Sequence, residues 1–165
     1  MKIEFSAESE LGQAMHAWWL SLESDNGGRA ELRRAKTLTT VIVSPCFQRL
    51  YGQVRPLLSS ARGDWPSRLA MIAVVLAHVK QADNKEIAMQ LASPKAGGSN
   101  ARLSNLRFRR LLQRSRDDVW LALVRVLPML DRKANIFDLA NSLFYWGDKV
   151  KQRWAYAYFA KASVK

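Results

Sequence analysis

The chain has 165 residues, 48% of them hydrophobic, and carries 26 Lys and Arg against 14 Asp and Glu, a formal +12 at pH 7. That apolar content supports a buried core in one domain or two small lobes and excludes a wholly disordered polymer. No apolar run nears the roughly 18 residues that span a bilayer. The N-terminus lacks a basic start followed by an apolar stretch, so the expectation is a soluble cytoplasmic protein without a membrane partner.

Helical periodicity sets the elements in chain order. Leu11, Met15, Trp18, Trp19 and Leu22 share one face of a first helix, which Asn26-Gly27-Gly28 is expected to end. Arg29 to Lys36 reads as a second helix, with Leu32 and Ala35 inward and Arg33 and Arg34 outward. A short helix over Pro45 to Tyr51 follows. Thr39 to Val43 is β-branched, but five residues make no sheet alone. Trp65-Pro66 opens the strongest buried helix, Ser67 to Lys80, on a stripe of Leu69, Ile72, Ala73, Leu76 and Val79.

A short helix over Glu86 to Leu91 precedes Ser93 to Asn100, whose breakers and small polar residues suit a linker. This suggests an N-terminal helical lobe over residues 1–92, a loop over 93–100 and a basic helical lobe over 101–165. A helical stretch from Asn100 to Arg116 comes next, then Asp117 to Leu127, ended or kinked at Pro128. One last helix is expected over Asp138 to Ala160, seamed by Leu139, Leu143, Trp146, Val150, Trp154 and Ala157. No period-2 stretch persists, and the fold class is all-α, a helical bundle protein with two small lobes.

The charge is lopsided. Residues 83–165 hold 16 basic and seven acidic residues, net +9, whereas residues 1–82 hold ten and seven, net +3. The peak is Asn100 to Arg116, with six arginines and no acid. At about 100° per residue, Arg102, Arg109 and Arg116 align on one helix edge and Arg107, Arg110 and Arg114 on another, flanking Leu103, Phe108, Leu111 and Leu112. Like charges four apart repel by a few tenths of a kcal/mol, so a counter-anion is expected, and a polyanion fits best because phosphate contacts release condensed counterions. Lys149, Lys151 and Arg153 form a second cluster. A third, Arg33, Arg34 and Lys36, stands beside Glu31.

The six tryptophans raise the question of base stacking, but Trp18, Trp19, Trp146 and Trp154 sit at core spacing and are expected to pack, leaving backbone binding with weak sequence preference. Catalysis finds no constellation. Asp117 and Asp118 are adjacent and point about 100° apart on a helix, a poor two-metal clamp. Cys46 is the single cysteine, His16 and His78 are far apart, and Gly97-Gly98-Ser99 lacks P-loop context, so no metal, cofactor or active site is expected.

Several segments taken together resemble a known family. These are Phe108-Arg109-Arg110-Leu111-Leu112, then Leu143 to Phe159 with its Trp-Gly-x-Lys and Arg-Trp, and earlier Glu31 to Ala35, Pro45 to Tyr51 and the Glu86 to Leu91 helix before a Gly-rich loop. The likeness is to the CasB family, the small subunit of the type I-E CRISPR surveillance complex Cascade, and it covers most of the chain. The resemblance implies an all-helical, non-enzymatic protein, homodimeric within a crRNA-guided antiviral complex. It would contact the backbone and large subunits and crRNA, and help hold the displaced non-target DNA strand in an R-loop. Carried over motif by motif, the DNA-contacting residues fall on Arg34, Arg114, Arg125 and Lys149; Asp148 departs from the pattern by placing an acid beside the last. The candidate binding set is Arg33, Arg34, Arg102, Arg107, Arg110, Arg114, Arg125, Lys149 and Lys151. Two other classes stay open: a free-standing DNA- or RNA-binding helical module, with Asn100 and Asn105 as base readers, and an architectural subunit whose arginines meet acidic protein.

Overall fold

In the computed structural model, which describes residues 2–162, the chain divides at 78/79 into two compact units. The first contains α1 (Glu10–Ser21), α2 (Asn26–Arg34), α3 (Leu38–Ile42), α4 (Pro45–Val54) and α5 (Trp65–Ala77). Each start is written in the sequence as a side-chain cap: Ser9, Asp25, Thr37, Ser44 and Asp64 accept from the backbone N–H three residues on. Asn26-Gly27-Gly28 therefore opens α2 instead of closing α1, which ends in a 3₁₀ turn at Leu22–Ser24. A Cβ at Gly28 would meet the Asp25 carboxylate, so a side chain there would push the capping carboxylate out of its present position.

Helix α5 is the hub of this unit. Every residue from Leu69 to Ala77 is buried, and α2, α3 and α4 all pack on it. A helix apolar all round is stable only when enclosed. Thr39 to Val43, β-branched as it is, lies mostly within the one-turn helix α3, where Val41 is fully buried: packing overrides a weak local preference.

The second unit holds β1 (Gln81–Ala82), α6 (Ile87–Ala92), α7 (Asn105–Leu112), α8 (Val119–Val126), β2 (Lys133–Ala134), α9 (Ile136–Phe144) and α10 (Asp148–Lys161). The expected Glu86 to Leu91 helix is α6, and it packs against α10, which is why the division falls upstream of the 93–100 segment. That segment is closed at its base: Pro94 and Ala101 form an antiparallel bridge, Arg102 N–H donates to Ser93 O at 3.1 Å and Leu103 N–H to Leu91 O at 3.0 Å. It is a surface excursion of one unit, not the boundary between two.

Two further expectations change here. The arginine helix covers only Asn105 to Leu112, because Ser104 caps Arg107 N–H and the chain turns after Gln113. The last helix is two helices: α9 ends at Phe144, and Gly147, extended at φ 173°, separates it from α10. The seam of Leu139, Leu143, Trp146 and Trp154 is nonetheless buried, with Trp146 and Trp154 edge to face at 5.4 Å between ring centroids; Val150 and Ala157 are half-buried. Strand content among the described residues is the two-residue parallel pair of β1 and β2, Gln81 opposite Lys133 and Ala82 opposite Ala134. Strand β2 follows Asp131 and Arg132, both at φ 56°, a left-handed double residue that turns the chain after the Leu127–Leu130 3₁₀ turn. The fold is mostly α-helical, as the sequence indicates.

Candidate nucleic-acid interface

The arginines of residues 102–125 divide by where their N–H groups go. Arg107, Arg110 and Arg114 from α7 and its turn, with Arg125 from α8, line one groove of about 290 Å³. Arg107 and Arg110 sit one turn apart on α7, and Arg114 continues their edge past the helix end. Arg125 projects from the last turn of α8, which packs on α7. Between the walls the floor is apolar: Leu103, Leu111, Ala122, Val126 and Met129. Arg107, Arg110 and Arg125 are exposed and have no side-chain ion pair or hydrogen bond among the described residues. Arg114 reaches Asp118 Oδ2 at 3.7 Å, both side chains 45% exposed; such a surface pair contributes about 0.5 kcal/mol and yields readily to a phosphate.

Other arginines of the same run are committed to the fold. Arg116 donates from Nε and Nη2 to the Trp146 carbonyl at 3.2 and 3.1 Å, while the Trp146 indole N–H returns a bond to the Arg114 carbonyl at 2.9 Å. This reciprocal clasp fixes the turn after α7. Arg102 lies ahead of α7, with Nη1 3.4 Å from both Met129 O and Asp131 Oδ2. Of the two edges expected on the helical wheel, Arg107, Arg110 and Arg114 form a groove wall; the other is dispersed, with Arg109 alone exposed on α7.

On α10, Lys149 is exposed, whereas Lys151 is half-buried with its Nζ 5.9 Å from the Trp146 ring centroid, within cation–π range. Arg153 is a brace: it meets Asp138 Oδ1 at 3.1 Å and Glu86 Oε1 at 3.5 Å and donates to Ser142 Oγ at 2.9 Å, tying α6, α9 and α10. In the first unit, Arg33 and Arg34 occupy the last turn of α2, Arg34 exposed and Arg33 half-buried.

The tryptophans pack as expected. All six tryptophans are buried, at 9% exposure or less. Phe108 on α7 stacks on Tyr158 of α10 at 3.9 Å, and the Tyr158 hydroxyl donates to the Leu103 carbonyl at 2.6 Å. Burial pushes the Tyr158 hydroxyl above its ordinary pKa, and likewise raises the Cys46 thiol, which leaves that sulfur a poor nucleophile. Among the described residues no three His, Cys, Asp or Glu side chains gather to hold a metal ion, and no helix is long and apolar enough to cross a membrane. The α8 side of the groove floor is what sequence reading missed; Ala122, Val126 and Met129 fall at i, i+4 and i+7, a spacing that by itself signals only a buried helix face.

Three comparisons bear on these features. No curated protein matches the chain in sequence. Among solved structures, a chain of the crystal structure of E. coli Cascade bound to a PAM-containing dsDNA target matches with a TM-score of 0.68 at 21% identity, over 90% of this chain and 94% of that one. At that identity the likeness is one of fold. The family model for CRISPR-associated protein Cse2, another name for CasB, matches residues 28–159, which include most of α2 with Arg33 and Arg34, the α7–α8 groove and the α10 cluster. The chain therefore belongs to the CRISPR-associated Cse2 family.

Proposed function

We propose that this protein is the non-catalytic small subunit of a crRNA-guided, Cascade-type surveillance complex, where it holds the displaced non-target DNA strand and stabilises the R-loop. The observation that carries the reading is the groove between α7 and α8: four guanidinium groups on its two walls and, among its lining residues, no acid. Such a groove attracts a phosphate backbone, and Arg matches phosphate oxygens bidentately. Family membership supplies the context, since the E. coli chain of like fold belongs to a Cascade bound to a dsDNA target. Backbone and large subunits, crRNA and a second copy of this chain are the proposed neighbours, in the cytoplasm.

R-loop formation exchanges one duplex for another of nearly equal stability, so a few phosphate contacts on the displaced strand decide how long the loop persists. The remaining candidates divide under this reading: Lys149, exposed on α10, is a further phosphate contact of the second unit, and exposed Arg34 with half-buried Arg33 are separate candidate contacts of the first, while Arg102 and Lys151 chiefly hold the fold. The test is R-loop lifetime in the complex reconstituted with wild-type protein or with Arg107→Glu/Arg110→Glu/Arg125→Glu. The account expects the variant to assemble and the loop to collapse at least tenfold faster. An unchanged lifetime sinks it. The Arg114–Asp118 pair favours a second reading, in which the groove receives acidic side chains of a neighbouring subunit; there the variant fails to assemble.

A further inference from the structure

The groove has more than its charge. A site built only to neutralise phosphates needs no apolar surface beneath the cations, yet Leu103, Leu111, Ala122, Val126 and Met129 pave the space between Arg107, Arg110 and Arg114 on one wall and Arg125 on the other. Its volume of about 290 Å³ lies at the bottom of the range for small-ligand pockets, roughly 300–1,000 Å³. That is room for a nucleotide and none for a double helix. Guanidinium planes also stack on nucleobases while their edges bind phosphate. A ligand with anionic groups at its rim and a flat, weakly polar centre complements this arrangement, and an unpaired nucleotide within a strand is such a ligand.

Resting on the strand-binding reading above, we infer that the α7–α8 groove receives one unstacked nucleobase, laid on the Leu111, Val126 and Met129 floor while the flanking phosphates engage Arg107, Arg110 and Arg125. The site thereby distinguishes single strand from duplex, because a paired base has its faces covered by its neighbours in the stack. It reads no sequence: the floor offers no hydrogen-bonding side chain to a base edge. Phosphates give the salt dependence, and the base gives the preference for unpaired strand.

The experiment compares the full-length protein on labelled oligothymidylate and on an abasic strand of the same length and phosphate number, across a salt series. The inference expects oligothymidylate to bind about five- to tenfold more tightly, at the weak end for a stacked base because the floor is aliphatic, with equal salt slopes. Ala122→Met, which fills the groove and leaves every arginine, brings the two strands to equal affinity at unchanged slope. If that variant does not fold, Met129→Ser, at a half-buried position, carries the test by shrinking the floor. Equal affinity of the wild type for both strands, with a steep slope, overturns the base site and leaves strand binding standing. Failure of both strands to bind overturns strand binding by the isolated protein, and the base site with it.

Discussion

Two sets of arginines in the C-terminal unit share a residue type yet differ in what their N–H groups meet. Arg102, Arg116 and Arg153 spend their N–H groups on carbonyls, a hydroxyl and carboxylates of their own unit. Arg107, Arg110 and Arg125 spend none among the described residues and face a groove with an apolar floor. A run of positive charge is not by itself a binding site; under the proposed function, the guanidinium groups left over once the fold is satisfied are.

Replacing the available set tests this contrast with the largest effect. Arg107→Glu/Arg110→Glu/Arg125→Glu should cost on the order of a hundredfold in single-strand affinity near 0.1 M salt while leaving the melting temperature within about a degree, since no tie is lost. Fluorescence anisotropy beside thermal denaturation reads both. The committed set should behave in reverse. Arg153→Ala leaves Asp138, a 9% exposed carboxylate, without its cation and should destabilise the unit by about 2 kcal/mol, the Ile87 N–H and Ser142 hydroxyl still bonding it. Denaturant titration measures that loss, and strand affinity extrapolated to the folded fraction should hold. Arg116→Ala should cost about 1–2 kcal/mol through the unclasped Trp146 carbonyl. Asp118→Asn sits between the sets: it releases Arg114 and should tighten strand binding about twofold.

The first unit offers a committed guanidinium with a pH signature. Asp25 is held below its usual value of 3.8 first by the Gly28 N–H it caps and then by Arg49 at 2.9 Å. Because its folded pKa is depressed, the stabilisation is present above the ordinary carboxylate range and lost as pH falls through the folded value. Asp25→Asn, which keeps a cap acceptor, should therefore melt lower than wild type at neutral pH and converge with it in acid, a shift that calorimetry across pH follows.

Much of this was legible in the sequence. The α5 stripe, the burial of the tryptophans and the edge of Arg107, Arg110 and Arg114 follow from helical spacing alone, and the family from segments in order. What was not legible has physical causes. The loop at 93–100 has linker composition, but its closure at Pro94 and Ala101 and the packing of α6 on α10 depend on partners far along the chain. The break at Gly147 interrupts a seam whose apolar spacing runs straight through it, because Trp146 stays buried while the backbone changes direction. Arg116 and Arg102 look like their neighbours on a wheel; only tertiary carbonyls near them reveal their commitment.

The most direct measurement is the salt dependence of single-strand binding for wild type, Arg107→Gln/Arg110→Gln/Arg125→Gln and Arg102→Gln. Each phosphate contact contributes about 0.7 to the slope of log affinity against log salt. The account predicts a slope shallower by about two for the groove variant and unchanged for Arg102→Gln. Equal shallowing per arginine removed, in both variants, would contradict it, because the positive run would then act as undivided charge.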